Sequence, residues 1–156
     1  MDSTAEVLTS VSDILLHNWP KEDVPDTLVR AGYTVTVYGG PEPDDIFVHE
    51  LGADDTIEIR RTGRPPERAD LVYVFPWPTY TLAKDLPWVA DQAGQLGARW
   101  LWYQSGRFED GTTGPEGCWL PDDEAGRVRS IVEGAGLMLI MDPYLPEAVR
   151  TAGARR

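Results

Sequence analysis

Four polar side chains stand where apolar runs end, the positions at which α/β proteins commonly do their chemistry. His17 and Asn18 follow the run 13–16, Gln104 follows 100–103, and Asp142 follows 137–141. An imidazole at a strand end can take up or release a proton near neutral pH. In a turn, His17 and Asn18 would instead satisfy the loop backbone. A carboxylate directly after an apolar strand can carry a raised pKa, while an aspartate there also serves by accepting backbone N–H groups in a turn. Gln104 is a neutral donor and acceptor, suited to a carbonyl or an adenine edge, or to pinning a buried loop whose amide must be paired. His17, Asp142 and Gln104 form the candidate acid–base set.

Around them stands a set suited to a flat small molecule. It comprises Leu16, His17, Asn18 and Trp19 at the first strand exit, and Gly39 and Gly40 at the second. Phe75, Pro76 and Trp77 stand at the third exit, and Gln104, Ser105 and Gly106 at the fourth. Trp19, Trp77 and Trp119 fall in or near loops, placed either to stack on a ring or to cover the core edge. Trp88, Trp100 and Trp102 fall in regular elements and are assigned to the core. Cys118 lacks a CxxC partner, and His49 has Glu50 beside it but no second His or Cys nearby. A metal needs convergent ligands, so no metal site is expected. No P-loop, GxSxG or HExxH is present.

These residues need elements to position them. Runs 13–16, 33–38, 71–75, 100–103 and 137–141 are largely continuously apolar, which suits strands buried on both faces of a parallel sheet. Between them, 22–31, 86–96 and 123–135 carry helical spacing, closed by Gly32, Gly97 and Gly136. In the second helix Pro87 is expected in the first turn, with Asp85 as its cap. The expected fold is α/β, a Rossmann-like doubly wound, mostly parallel five-stranded sheet with helices on both faces. One domain spans 1–156, with its core at about 12–145 and less ordered termini. Residues 46–51 and 56–61 read as extra short strands or as a helical turn and a strand, and 107–121 as a long loop. The ligand crevice is expected between the end of the first strand and the strand that ends near Tyr103.

Bulk composition narrows the partners. The formal net charge is −12, with Lys21 and Lys84 the only lysines. Phosphate backbones demand clustered cations, so nucleic acid and anionic membranes are unexpected. No apolar run approaches the roughly 20 residues that cross a bilayer. The start MDSTAEV lacks the basic region of a secretion signal, and one cysteine permits no intrachain disulfide. A cytoplasmic location is expected.

Four fragments then resemble a known family. They are Ala31-Gly32-Tyr33-Thr34-Val35, Ala69-Asp70-Leu71-Val72-Tyr73-Val74-Phe75, Trp102-Tyr103-Gln104-Ser105-Gly106, and Ala135-Gly136-Leu137 through Met141-Asp142. In order and spacing they resemble the small bacterial CoA-binding domain proteins, relatives of the nucleotide-binding domain of succinyl-CoA synthetase, over residues 12–145. The resemblance implies coenzyme A as the cofactor. The family's first loop carries a Gly-x-Ser-type sequence; here Leu16-His17-Asn18 stands there, and no glycine occurs before Gly32. Glu22, Asp23 and Asp26 open the next helix, which suits its dipole but repels phosphate; only Lys21 speaks for an anion. Gly39-Gly40, Pro76 and Pro143-Tyr144 also depart from the family's pattern.

Three functions follow as expectations. The first is a binding domain for CoA, an acyl-CoA or a related adenine nucleotide. The second is a cofactor-independent enzyme acting on a small substrate by acid–base chemistry at the strand-end cleft. The third is a scaffold subunit that binds another protein; a homodimer is a further expected partnership.

Overall fold

A computed structural model describes residues 4–19, 22–39, 42, 44–77, 79–104, 122–141 and 145–152. The parallel strands are β1 (Asp13–His17), β2 (Thr34–Tyr38), β5 (Leu71–Val74), β6 (Trp100–Tyr103) and β7 (Met138–Met141). Two more, β3 (Ile46–Leu51) and β4 (Ile57–Arg61), extend the sheet antiparallel beyond β2. The result is a mixed seven-stranded sheet in the order β4-β3-β2-β1-β5-β6-β7. The expectation of five strands is corrected: Ile46–Leu51 and Ile57–Arg61 form a hairpin that adds two antiparallel strands at the β2 edge.

Side chains alternate across the sheet. One face carries Ile14, Leu16, Val35, Val37, Tyr73 and Trp102 beneath α1 (Thr4–Ser10), α2 (Asp23–Arg30) and α5 (Leu145–Thr151). The other carries Leu15, Val72, Val74, Leu101 and Tyr103 beneath α3 (Leu82–Gln95) and α4 (Asp122–Gly134). Helices on both faces explain why the central strands read as continuous apolar runs; each fully buried aliphatic side chain contributes about 1.5–3 kcal/mol. The core reaches past the expected 12–145: Val7 and Leu8 of α1, and Leu145 and Val149 of α5, are buried.

Two local expectations change. Helix α3 begins at Leu82, with Thr81 at its N-cap, so Pro87 lies inside the helix. Asp85 takes part in the capping from within the first turn, its carboxylate accepting the Thr81 N–H at 2.7 Å. At the amino edge of the sheet, Asp70 joins β5 to β1 by accepting the N–H groups of Ser12 (2.8 Å) and Asp13 (2.9 Å). Burial works to raise the Asp70 pKa, but these bonds and the Arg68 guanidinium outweigh it and hold the carboxyl below its ordinary value.

Candidate functional site at the carboxyl edge

Strand order fixes where a ligand crevice can open. The five parallel strands run β2-β1-β5-β6-β7, so the direction of winding reverses between β1 and β5. The expected crevice between β1 and β6 is therefore corrected, because β5 lies between those strands. The reversal brings the exit His17-Asn18-Trp19 against Phe75-Pro76-Trp77.

Asn18 has φ 69°, the left-handed conformation that Asn tolerates better than most side chains. Its Nδ2 donates to the carbonyl of Phe75 (3.1 Å) and to that of Pro76 (3.4 Å). The same residue thus makes the turn and ties the β1 exit to the β5 exit across the reversal. Leu16 and Phe75 face the core beneath α1, α2 and α5, so their side chains are packing residues.

His17 points to the other face. It is 2% exposed, and its imidazole stacks on Tyr38 with ring centroids 4.5 Å apart and planes at 20°. That contact follows from the register, which sets His17 beside Tyr38 on adjacent parallel strands. The His17 Nε2–H donates to Gln92 Oε1 at 2.7 Å, and the Gln92 Nε2 donates to the Tyr38 hydroxyl. Burial lowers the His17 pKa to about 4, against a smaller upward pull from Gln92. At neutral pH the imidazole is uncharged and hydrogen-bonded through one nitrogen. Burial raises the Tyr38 pKa.

Further rings continue along this edge. Trp88 stands edge-on to His17 (5.5 Å) and to Tyr38 (6.1 Å) and is half exposed. Its assignment to the core is corrected: it is half exposed and lies beside the buried stripe of α3, which is Leu82, Leu86, Val89, Ala90 and Ala93. Trp77 is tilted against His17 at 6.4 Å and meets Tyr80 edge-on at 5.0 Å. The Tyr103 hydroxyl donates to that of Tyr80 at 3.1 Å. Burial pushes the Tyr103 pKa up to about 12.

Gln104 belongs elsewhere. It is fully buried on the opposite face from His17, where its Oε1 accepts the Leu145 N–H at 3.2 Å and the Tyr73 hydroxyl at 3.4 Å. It anchors the start of α5, so the expected pairing of His17 with Gln104 is corrected: strand alternation sends them to opposite faces. Asp142, Gly40, Ser105, Gly106, Lys21, Cys118 and Trp119 lie outside the described residues. Trp19 turns to the α2 side and meets His49 edge-on at 6.1 Å, while Gly39 lies between Trp19 and Phe47. The buried His49 Nδ1 has no partner among the described residues. Burial lowers its pKa against the pull of Asp26 and Glu22.

Sequence reasoning missed Tyr38, Gln92 and Trp88 as parts of this cluster. Gln92 left a signal, an amide beside the apolar stripe of Val89 and Ala93, where a polar side chain needs a partner. Tyr38 left none, since its role depends on strand pairing.

At the start of α2, Asp23 is held by Arg150 (3.3 Å) and Thr27 (3.0 Å), and Glu22 makes no side-chain cap. Two cavities lie away from this edge. One of about 400 Å³ is at the amino edge beside Ser10, Arg99 and Trp100, and one of about 510 Å³ lies between α3 and α4. No group of three metal-ligating side chains occurs among the described residues, and no described helix is long and apolar enough to cross a membrane.

No family model matches this chain, and no curated protein matches it. Among solved structures it is similar to the crystal structure of Prb, described as the PH1109 protein redesigned for binding. The TM-score is 0.58 at 18% identity, over 98% of this chain and 92% of that one. A likeness at that identity shows a shared α/β fold and nothing about function.

Proposed function

We propose that the chain is a small-molecule-binding domain that takes a flat ring on the aromatic cluster at the β1–β5 reversal. The ligand class is CoA, an acyl-CoA or a related adenine nucleotide, as the sequence resemblance implies. One observation carries this reading: a half-exposed Trp88 set edge-on to a stacked His17–Tyr38 pair, at the edge where α/β sheets bind ligands. Aromatic faces recognise any base, whatever is attached to it. In this reading the parallel part of the sheet, β2-β1-β5-β6-β7, is Rossmann-like.

The acid–base alternative has less support. A general base works best with a pKa near the working pH, and His17 is buried with its pKa near 4. The acidic start of α2 makes that end a poor seat for phosphate, so the ring, not the phosphates, supplies most of the affinity.

Thermal shift with adenosine, ADP, acetyl-CoA and free CoA tests this, since a ligand that binds only the folded state raises stability by mass action. A dose-dependent rise with adenosine and ADP alike, lost in Trp88→Ala, is the expected outcome. No rise with any of the four at millimolar ligand refutes the adenine class. A rise that survives Trp88→Ala moves the site away from the cluster.

A further inference from the structure

β4 ends the sheet, and nothing among the described residues pairs its outer side. Flanking pairs show which backbone groups are free. Gly52 donates to Thr56 at 2.7 Å and Thr62 donates to Ile46 at 2.9 Å, so even-numbered residues of this ladder bond across to β3. The alternate residues Ile57, Ile59 and Arg61 therefore turn their N–H and C=O groups outward. Natural edges are often blunted by proline, a bulge or charged side chains. β4 reads Ile-Glu-Ile-Arg-Arg, without proline, and its charges are of both signs, so they can complement a second copy as well as repel other strands.

Its side chains are self-complementary. On one face Ile59 is 61% exposed and Leu51 on the neighbouring strand 49%, both large apolar groups left in water. On the other face Glu58 stands directly opposite Glu50, a like-charge pair. Arg60 is bonded to Glu50 at 3.3 Å. Glu58 has no ion pair among the described residues and lies back over Gly52, whose place a Cβ would contest at 2.2 Å from Glu58 Oε2.

We propose that two copies of this chain pair their β4 strands antiparallel about a two-fold axis through Ile59, making one continuous sheet. In that register Ile59 meets the partner's Ile59, and Ile57 lies opposite the partner's Arg61. Each of these pairs is of the outward-facing type and exchanges two main-chain hydrogen bonds. Glu58 lies opposite the partner's Arg60 and Arg60 opposite the partner's Glu58, so each unpaired carboxylate gains a cation. A two-fold centred on Arg61 would set like charges together, and one centred on Ile57 would leave half the strand unpaired. Such an interface is isologous, the arrangement that closes at two copies.

Sedimentation velocity of the full chain over a concentration series tests the proposal. A reversible monomer–dimer equilibrium that weakens with salt is expected. Ile59→Pro removes an outward N–H and leaves the bonds to β3, so it should stay folded and become monomeric. Arg60→Glu alone should weaken dimerisation roughly tenfold, since two opposite-charge cross-strand pairs become like-charge pairs. Glu58→Arg combined with Arg60→Glu should restore it. A chain that stays monomeric at millimolar concentration overturns the proposal. So does a dimer unchanged in Ile59→Pro, or a double exchange that binds no better than Arg60→Glu, because either result puts the contact elsewhere.

Discussion

Acidification should expose the buried state of His17. In the unfolded chain its imidazole titrates at about the ordinary 6.5, and in the folded protein at about 4. Between those values the unfolded state holds the extra proton, so stability falls as pH is lowered. The contribution is complete above the unfolded pKa and is lost as pH falls toward the folded one. The full difference is on the order of 3 kcal/mol, of which about 2 kcal/mol is lost by pH 5. For a chain of this size that is a melting-temperature drop of roughly 4–8 °C between pH 7 and pH 5. His49 is shifted in the same direction, so the His17 share is isolated by comparison with His17→Phe. That variant keeps a ring against Tyr38 and leaves Gln92 Oε1 without its donor, a cost of about 1–3 kcal/mol that does not vary over this range. Its stability between pH 7 and pH 5 should fall by about 2 kcal/mol less than that of the unmodified protein. Urea titrations at each pH measure the difference. The chain has two histidines, so nuclear magnetic resonance can follow each ring separately. Equal slopes in the two proteins, or a His17 midpoint at 6 or above, would refute the reasoning and return the imidazole to the candidates for acid–base catalysis.

Two substitutions separate conformation from bonding at the other site positions. Asn18→Gly keeps the left-handed turn and loses the bonds to Phe75 and Pro76, so it should cost about 1 kcal/mol in chemical denaturation. Asn18→Val loses the bonds and adds left-handed strain, for a further ~1–2 kcal/mol; equal costs for the two would show that φ at Asn18 is unimportant. Gln104→Leu strands the Leu145 N–H, and should cost about 1–3 kcal/mol while speeding amide exchange through α5. An unchanged exchange pattern there would remove Gln104 as the anchor of α5.

Periodicity made the central strands legible, because burial on both faces leaves an apolar run that no surface element imitates. Helices α2 and α4 were legible to within a residue at either end, as a polar start and a left-handed Gly32 or Gly136 mark their limits. The start of α3 was not, since Pro87 reads as a first-turn residue and the side chain of Thr81, the true N-cap, accepts no hydrogen bond from the helix backbone. Helices α1 and α5 span seven residues each, too short for a helical period to emerge, although the burial of Leu8 and Leu145 makes them part of the core. Of the candidate cluster, His17, Trp77 and the turn residue Asn18 were legible, because they adjoin strand ends in sequence. Gln104 adjoins one too, but a single step of alternation decides which face a strand-end residue serves, and only pairing and strand order reveal the outcome.

Asn18 shows how a left-handed first turn is held without glycine. A glycine at a left-handed position leaves backbone N–H groups bare, and a helix N-terminus behind them adds favourable potential for an anion. Asparagine accepts the same φ but brings an amide, and here that amide is bonded to the carbonyls of Phe75 and Pro76. The turn is kept while the opening between β1 and β5 is spanned. Behind it, Glu22, Asp23 and Asp26 place carboxylates where an anion would gather. Both features act on charge and access, and neither takes part in the strand pairs or the apolar layers. A loop of this kind is a poor seat for phosphate, and what stands beside it at that edge is the ring system of His17, Tyr38, Trp77 and Trp88.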